Sequence, residues 1–112
     1  MMTFEERERA FEAKYAHDEE FRFRVTARRD KLFAHWGAEQ LGLTPEEEAA
    51  LLKSVLAVSD GPGHDDRVLE LMHRAFLEHG GNAKLGGLAL ALQQCADQAK
   101  QQLLEHPSPL LI

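Results

Sequence analysis

Phe11 to Phe33 reads FEAKYAHDEEFRFRVTARRDKLF. No proline or glycine interrupts it, charges of both signs crowd it, and an aromatic ring recurs every few residues. Phe21, Val25, Arg28, Leu32 and Trp36 follow one another at spacings of four, three, four and four. That is the period of one helix face. The spacing predicts a helix reaching about Leu41, with Asp18 as N-cap, Glu19 and Glu20 suiting the positive end of its dipole, and Gly42 as the left-handed residue that ends it. A segment built only for a core would carry fewer charges, and one built only for solvent would carry fewer rings.

Outward from this stretch the whole chain reads as helix. On the N-terminal side, Thr3 with Glu6 spells a capping box, and Phe4, Phe11 and Tyr15 share a face. That face sits roughly 80° around the axis from the stripe that follows. A kink or break near His17–Asp18 accounts for the rotation; one unbroken helix is the alternative, since no Gly or Pro intervenes. On the C-terminal side, Thr44-Pro45-Glu46-Glu47 combines an N-cap, proline at the first helical position and a box glutamate. Leu51, Leu52, Val55, Leu56 and Val58 are read as its inner side. Ser59 to Gly63 is a loop. Asp65 is read as the cap of a further helix with Val68, Leu69, Met72 and Phe76 inward. Gly80-Gly81 ends it. Asn82 is read as the cap of a last helix carrying Leu85, Leu88, Ala89, Leu92, Ala96, Ala99 and Leu103. Pro107 and Pro109 stop it.

The expected fold is therefore all-α: an antiparallel four-helix bundle, residues 19–112, preceded by an N-terminal helical arm, residues 1–18. Burying one Leu or Phe contributes roughly 1.5–3 kcal/mol. The last four helices offer roughly fifteen such positions, which suffices for a core without the first helix.

Composition agrees with one folded domain: 44% hydrophobic and 29% charged residues in 112 are ordinary proportions. The single cysteine cannot form an internal disulfide and suits a reducing compartment. Cys95 reads as a small core or boundary residue. Residues 1–20 lack an apolar signal-peptide stretch, and Leu88–Leu92 is too short to span a bilayer, so a cytoplasmic, not membrane-inserted protein is expected. The net charge of −6 is uneven. Residues 1–31 hold eight acids and eight bases, while residues 32–112 hold eleven acids and five bases. Without a basic block, nucleic acid is not an expected partner. Seven of the eight aromatic rings fall in the first 36 residues, so the N-terminal third holds the compositional signal.

Chemistry is hard to assemble. His73 and His79 stand six apart, which puts them on different faces rather than at the spacing a helical metal pair needs. His64-Asp65-Asp66 reads as a cap with a flanking histidine. Gly80-Gly81-Asn82-Ala83-Lys84-Leu85-Gly86-Gly87 lacks the G-K-[ST] ending of a phosphate loop and follows a helix rather than a strand. Glu46-Glu47-Glu48 is a first helical turn. No nucleophile, base and orienting group come together, so no catalytic residue, metal site or cofactor is expected, with weak ATP or ADP binding the one small-ligand affinity entertained. Phe4, Phe11 and Tyr15 form a thin aromatic row flanked by Arg7, Arg9, Lys14, Glu5, Glu8 and Glu12. Apolar anchors at helical spacing with charges to set register suit a helix laid into a partner's groove.

Arg7-Glu8-x-Ala10-Phe11-Glu12-x-Lys14-Tyr15-Ala16-His17-Asp18-Glu19-Glu20, then Arg22-Phe23, Ala27-Arg28-Arg29 and Lys31-Leu32-x-x-x-Trp36, resembles the zeta subunit family, inhibitors of the F-type ATP synthase of alphaproteobacteria. The resemblance is dense over residues 4–36. It implies a four-helix bundle with an N-terminal segment that enters the catalytic alpha/beta interface of the F1 sector, near the rotor, and blocks rotation in the hydrolytic direction. Carried over, the partner-binding residues are Phe4, Arg7, Glu8, Phe11, Glu12, Lys14, Tyr15 and His17. The chain departs from the family pattern at Phe21, Asp30 and Gly37, where leucine, asparagine and alanine are usual. Two other readings stand beside this one: a helical bundle that senses a nucleotide or other small ligand at the Asn82 helix start, and a helical adaptor without inhibition.

Overall fold

Thr44-Pro45-Glu46-Glu47 sets the clearest boundary in the fold. In the computed structural model, which describes residues 3–15 and 19–105 and the side chains of 3–10 and 19–105, Thr44 Oγ1 accepts from the Glu47 amide at 3.2 Å. The Glu47 carboxylate accepts from the Thr44 amide at 3.0 Å. This reciprocal box satisfies two donors that a helix start otherwise leaves unpaired, and the same bonds hold the Glu47 carboxyl below its ordinary range. Replacing Thr44 by alanine is expected to cost about 1 kcal/mol. Urea unfolding should show it as a lower midpoint at unchanged slope.

The helices are α1 (Phe4–Tyr15), α2 (Glu19–Leu41), α3 (Pro45–Leu56), α4 (His64–Glu78) and α5 (Leu88–Glu105), with a 3-10 helix at Asn82–Gly87 before α5. The described residues contain no strand. Gly42 ends α2 at φ 63°: the Leu43 amide donates to Ala38 O at 3.0 Å and the Gly42 amide to Glu39 O at 3.3 Å, the Schellman pattern that glycine permits. Thr3 Oγ1 accepts from the Glu6 amide at 3.2 Å, the hydroxyl half of the box expected at the start of α1. The junction at His17–Asp18, where a kink or an unbroken helix was the open choice, lies outside the described residues.

Two expected caps are corrected. Asp65 does not cap α4: the cap position is Gly63, at φ 81° and without a side-chain bond, and α4 begins at His64. Asp65 is drawn into an ion pair with Arg29 instead. Asn82 does not cap the last helix; it opens the 3-10 turn, and α5 starts at Leu88.

α2 packs against α3, α4 and α5; α3 packs on α4, α4 on α5, and α1 on α5. Phe33, Val55, Val68, Met72 and Phe76 are fully excluded from solvent, and Leu88 and Leu92 pack with them in one cluster. Among the described side chains, every buried hydrophobic residue belongs to α2–α5.

The buried face of α2 is turned by about one residue from the expected stripe. Phe21, Val25, Arg28, Leu32 and Trp36 are half-buried. The buried residues are Arg29, Asp30, Phe33, Ala34, Gly37 and Ala38. Close approach explains the rotation. A Cβ on Gly37 would lie 2.5 Å from Met72 Sδ, so small residues let α2 sit directly on α4. Trp36 is too large for that line and lies at its edge, stacked on Phe33 and on Phe76 with both centroid separations at 5.7 Å. On α3, Leu51 and Val55 are buried and Leu52 and Val58 half-buried, but Leu56 is exposed. On α4 the expected residues face inward. On α5, Ala91 and Cys95 are buried, whereas Ala89 is exposed. Burial pushes the Cys95 thiol up, in keeping with an inert packing role.

Candidate functional site

The sequence places its candidate residues on α1. The helix is short, and its composition provides a charged surface with a ring every fourth or seventh position. A helix of 12 residues is marginal alone, because nucleation is costly and few bonds repay it. Here α1 lies against α5. Phe4, Arg7 and Glu8 are half-buried, at the i, i+3, i+4 spacing of one face, while Glu5, Glu6, Arg9 and Ala10 are exposed. Arg7 Nε is buried and has no hydrogen-bond partner among the described residues. The structure thus brings Phe4, Arg7 and Glu8 together. Phe11, Glu12, Lys14 and Tyr15 continue the same helix, but their side chains lie outside the described residues, as does His17 altogether.

Where α2 begins, Phe23 is 52% exposed. It is a large ring with no core to enter, close in sequence to α1, and sequence reasoning passed it over because the stripe ran through Phe21 and Val25. The available signal was its place in Arg22-Phe23, off that stripe. Nearby, Arg24 pairs with Glu20 at 2.9 Å across one helical turn, and Arg28 Nε donates to Gln102 Oε1 at 2.6 Å, tying α2 to the far part of α5.

A second polar constellation lies inside the helices. Arg29 donates to Asp30 Oδ1 through Nε at 2.9 Å and through Nη2 at 2.8 Å. Its Nη2 also reaches Asp65 Oδ1 at 2.9 Å. His64 Nε2 lies 2.7 Å from Asp30 Oδ2, and its Nδ1 lies 2.9 Å from Ser59 O. The Arg29 guanidinium holds the Asp65 carboxyl below its ordinary range. His64 is therefore not the flank of a cap but a buried link between α2 and α4. No group of His, Cys, Asp and Glu able to hold a metal ion occurs among the described residues.

The segment once readable as a phosphate loop is a helix end and a turn. Gly80 adopts φ 76°, and the Gly81 amide donates to Phe76 O at 2.7 Å. A groove of about 410 Å³ lies between α3 and α4, with Leu43, Ala50, Leu51 and Leu71 among its walls and Arg74 on its rim; the Asn82–Gly87 turn does not line it. No described helix is long and apolar enough to cross a membrane.

The family model for ATPase inhibitor subunit zeta matches residues 1–102, which takes in α1 to α4 and most of α5. The chain belongs to this zeta family. The match extends well past the N-terminal stretch that carried the resemblance, and it covers both the α1 candidates and the Arg29–Asp30–His64 cluster. No curated protein and no solved structure gives a significant match. Membership of a family of ATPase inhibitor subunits associates the zeta chain with ATP synthase F1 and with regulation rather than turnover.

Proposed function

We propose that this zeta-family protein is a non-enzymatic regulator that inhibits ATP hydrolysis by the F1 sector of ATP synthase. Residues 1–18 are the inhibitory arm. Residues 19–112 are a four-helix bundle that carries the arm and docks on the outside of the enzyme, on the cytoplasmic side and peripheral to the membrane. The observation that carries this reading is the division of labour in the core: the buried hydrophobic residues described lie in α2–α5, while α1 rests on α5 without a sealed side chain among those described. Phe4, Phe11 and Tyr15 fill apolar pockets in the catalytic alpha/beta interface beside the rotor, and Arg7, Glu8, Glu12, Lys14 and His17 fix the register there. A binder shifts a rotary enzyme's states only by preferring one of them. Directional blocking therefore comes from closure of the interface around the arm. No cofactor takes part.

The decisive comparison is ATP hydrolysis by F1 of the same organism with the full chain and with a chain beginning at Asp18. The full chain is expected to inhibit. The shortened chain is expected to keep its cooperative thermal transition and to lose inhibition. If the shortened chain unfolds, α1 is structural. If it inhibits as strongly as the full chain, the arm is not the wedge. Binding of the full chain to F1 without loss of turnover makes the protein an adaptor.

A further inference from the structure

The inhibitor reading leaves Asp30 and His64 unused, although they are among the most deeply placed polar groups described. Asp30 is 3% exposed and His64 is 8% exposed. Their contact joins the middle of α2 to the first residue of α4. Both ring nitrogens face acceptors: Asp30 Oδ2 on one side and the Ser59 carbonyl on the other. A neutral imidazole has a single N–H and can serve only one of them. The other nitrogen would aim a lone pair at an oxygen. The geometry is satisfied by the imidazolium, or by a neutral ring against a protonated carboxyl. Asp30 Oδ1 already accepts two N–H bonds from Arg29, which favours the carboxylate. The protonated ring is the form that serves both contacts.

We propose that Asp30 and His64 form a proton-operated clasp that holds the 59–63 loop and the start of α4 onto α2, and that opens when rising pH takes the ring's second proton. The surrounding charges fit this role. From α2 come Arg29 and Asp30. From α4 come Asp65, paired with Arg29, and Arg67, whose Nη2 donates to the same Ser59 carbonyl at 2.8 Å. From α5 comes the Cys95 thiol, which feels both Arg29 and Asp30. With the ring protonated, His64 and Arg29 balance Asp30 and Asp65. Without that proton one ring nitrogen loses its bond and turns a lone pair toward an acceptor oxygen.

Burial lowers the ring's proton affinity and Arg29 lowers it further. The bonds to Ser59 O and Asp30 outweigh both, leaving the His64 pKa above its ordinary 6.5. The clasp's stabilisation is then complete below 6.5 and is lost as pH rises through the folded-state value. The inference stands apart from the F1 reading, since it concerns the fold's own response to protons.

The test is a ring-nitrogen NMR titration of the full chain from about pH 5.5 to about pH 9, with urea stability followed over the same range, for the natural protein and Asp30→Asn. His64 is expected to show two protonated nitrogens at the acid end of the range and a midpoint above 6.5, the ordinary value. In Asp30→Asn, Arg29 remains beside the ring, so the midpoint is expected to fall below 6.5, the same reference. Each unit of that fall is about a tenfold loss in proton affinity. Stability of the natural protein should decline through the midpoint. Asp30→Asn should decline less, keeping only the part due to other groups such as His35, which bridges Glu39 and Glu48. A natural-protein midpoint at or below 6.5 overturns the clasp, and this measurement decides alone if the variant does not fold. An undiminished slope in a folded Asp30→Asn overturns it as well.

Discussion

Phe76→Ala is expected to destabilise the protein by about 3–5 kcal/mol, the usual range for emptying a sealed aromatic site. Phe76 is 0% exposed. It stacks against Trp36 with the ring planes 19° apart, and two glycines crowd it. A Cβ on Gly81 would come within 2.9 Å of Phe76 Cδ2, and one on Gly37 within 3.7 Å of Cε1. The ring therefore fills the angle between α4, the end of α2 and the turn that follows α4, where backbones rather than pliable side chains form part of the wall. Such a wall collapses poorly into a cavity, which places the cost in the upper part of the range. Domains of this size hold only about 5–15 kcal/mol in all, so the melting temperature should fall by more than about 10 °C. A loss below about 1 kcal/mol in urea unfolding would show that the site refills and that the packing described here is not rigid.

The second large effect is expected from Arg29→Met. Methionine keeps the length of the side chain and removes three hydrogen bonds, two to Asp30 and one to Asp65. The Asp30 carboxylate stays buried with both bonds to its Oδ1 gone and only the His64 contact left. Removing one partner of a buried ion pair typically costs about 3–5 kcal/mol, because the remaining charge is stranded. Arg24→Met is the matching control: its pair with Glu20 is made to a side chain 75% exposed, and such surface pairs contribute about 1 kcal/mol or less. Arg29→Met has a second readout that simple loss of packing would not produce. Arg29 lowers the proton affinity of His64, so the His64 midpoint should move up in the variant. Equal destabilisation by both substitutions, or an unmoved midpoint, would show that the Arg29 charge is screened by solvent.

These two sites differ in how plainly the sequence announces them. Phe76 lies on an amphipathic stripe with Val68 and Met72, and periodicity alone turns it inward. Thr44, Gly42 and Gly80 were equally legible, because capping is chemistry between residues a few positions apart. Arg29 and Asp30 were not. A pattern of bulky apolar residues drew the α2 face through Leu32 and Trp36, while the deepest positions belong to two charges, one phenylalanine and three small residues. Charges go inside only when partners meet them, and beyond the neighbouring Arg29 the partner of Asp30 is 34 residues away. Nothing local to Ala27-Arg28-Arg29-Asp30 reports that meeting. Asp65 was misread for the same reason: its residue type suits a cap, and a distant arginine claims it. For the candidate site, the helical form of α1 and the ring spacing could be read directly, whereas its seat against α5 could not, since neither face of so thin a stripe names its neighbour. Phe23 shows the converse, a ring in the middle of the most distinctive stretch that no interior claims.

The Arg29–Asp30–His64 contacts also bear on how the chain finds a single arrangement. Ala34, Gly37 and Ala38 are small, and a slippery seam of small residues tolerates sliding. Moving α2 by one turn, about 5.4 Å, would exchange one alanine or leucine contact for another of similar worth. The same slide would carry Asp30 away from His64 and Arg29 away from Asp65, so the pair would keep its own bonds but lose both of its links to α4. The buried ions thus act as a keyed notch: they add little to overall stability compared with an apolar substitute, yet they make one alignment of α2 against α4 far better than its near neighbours.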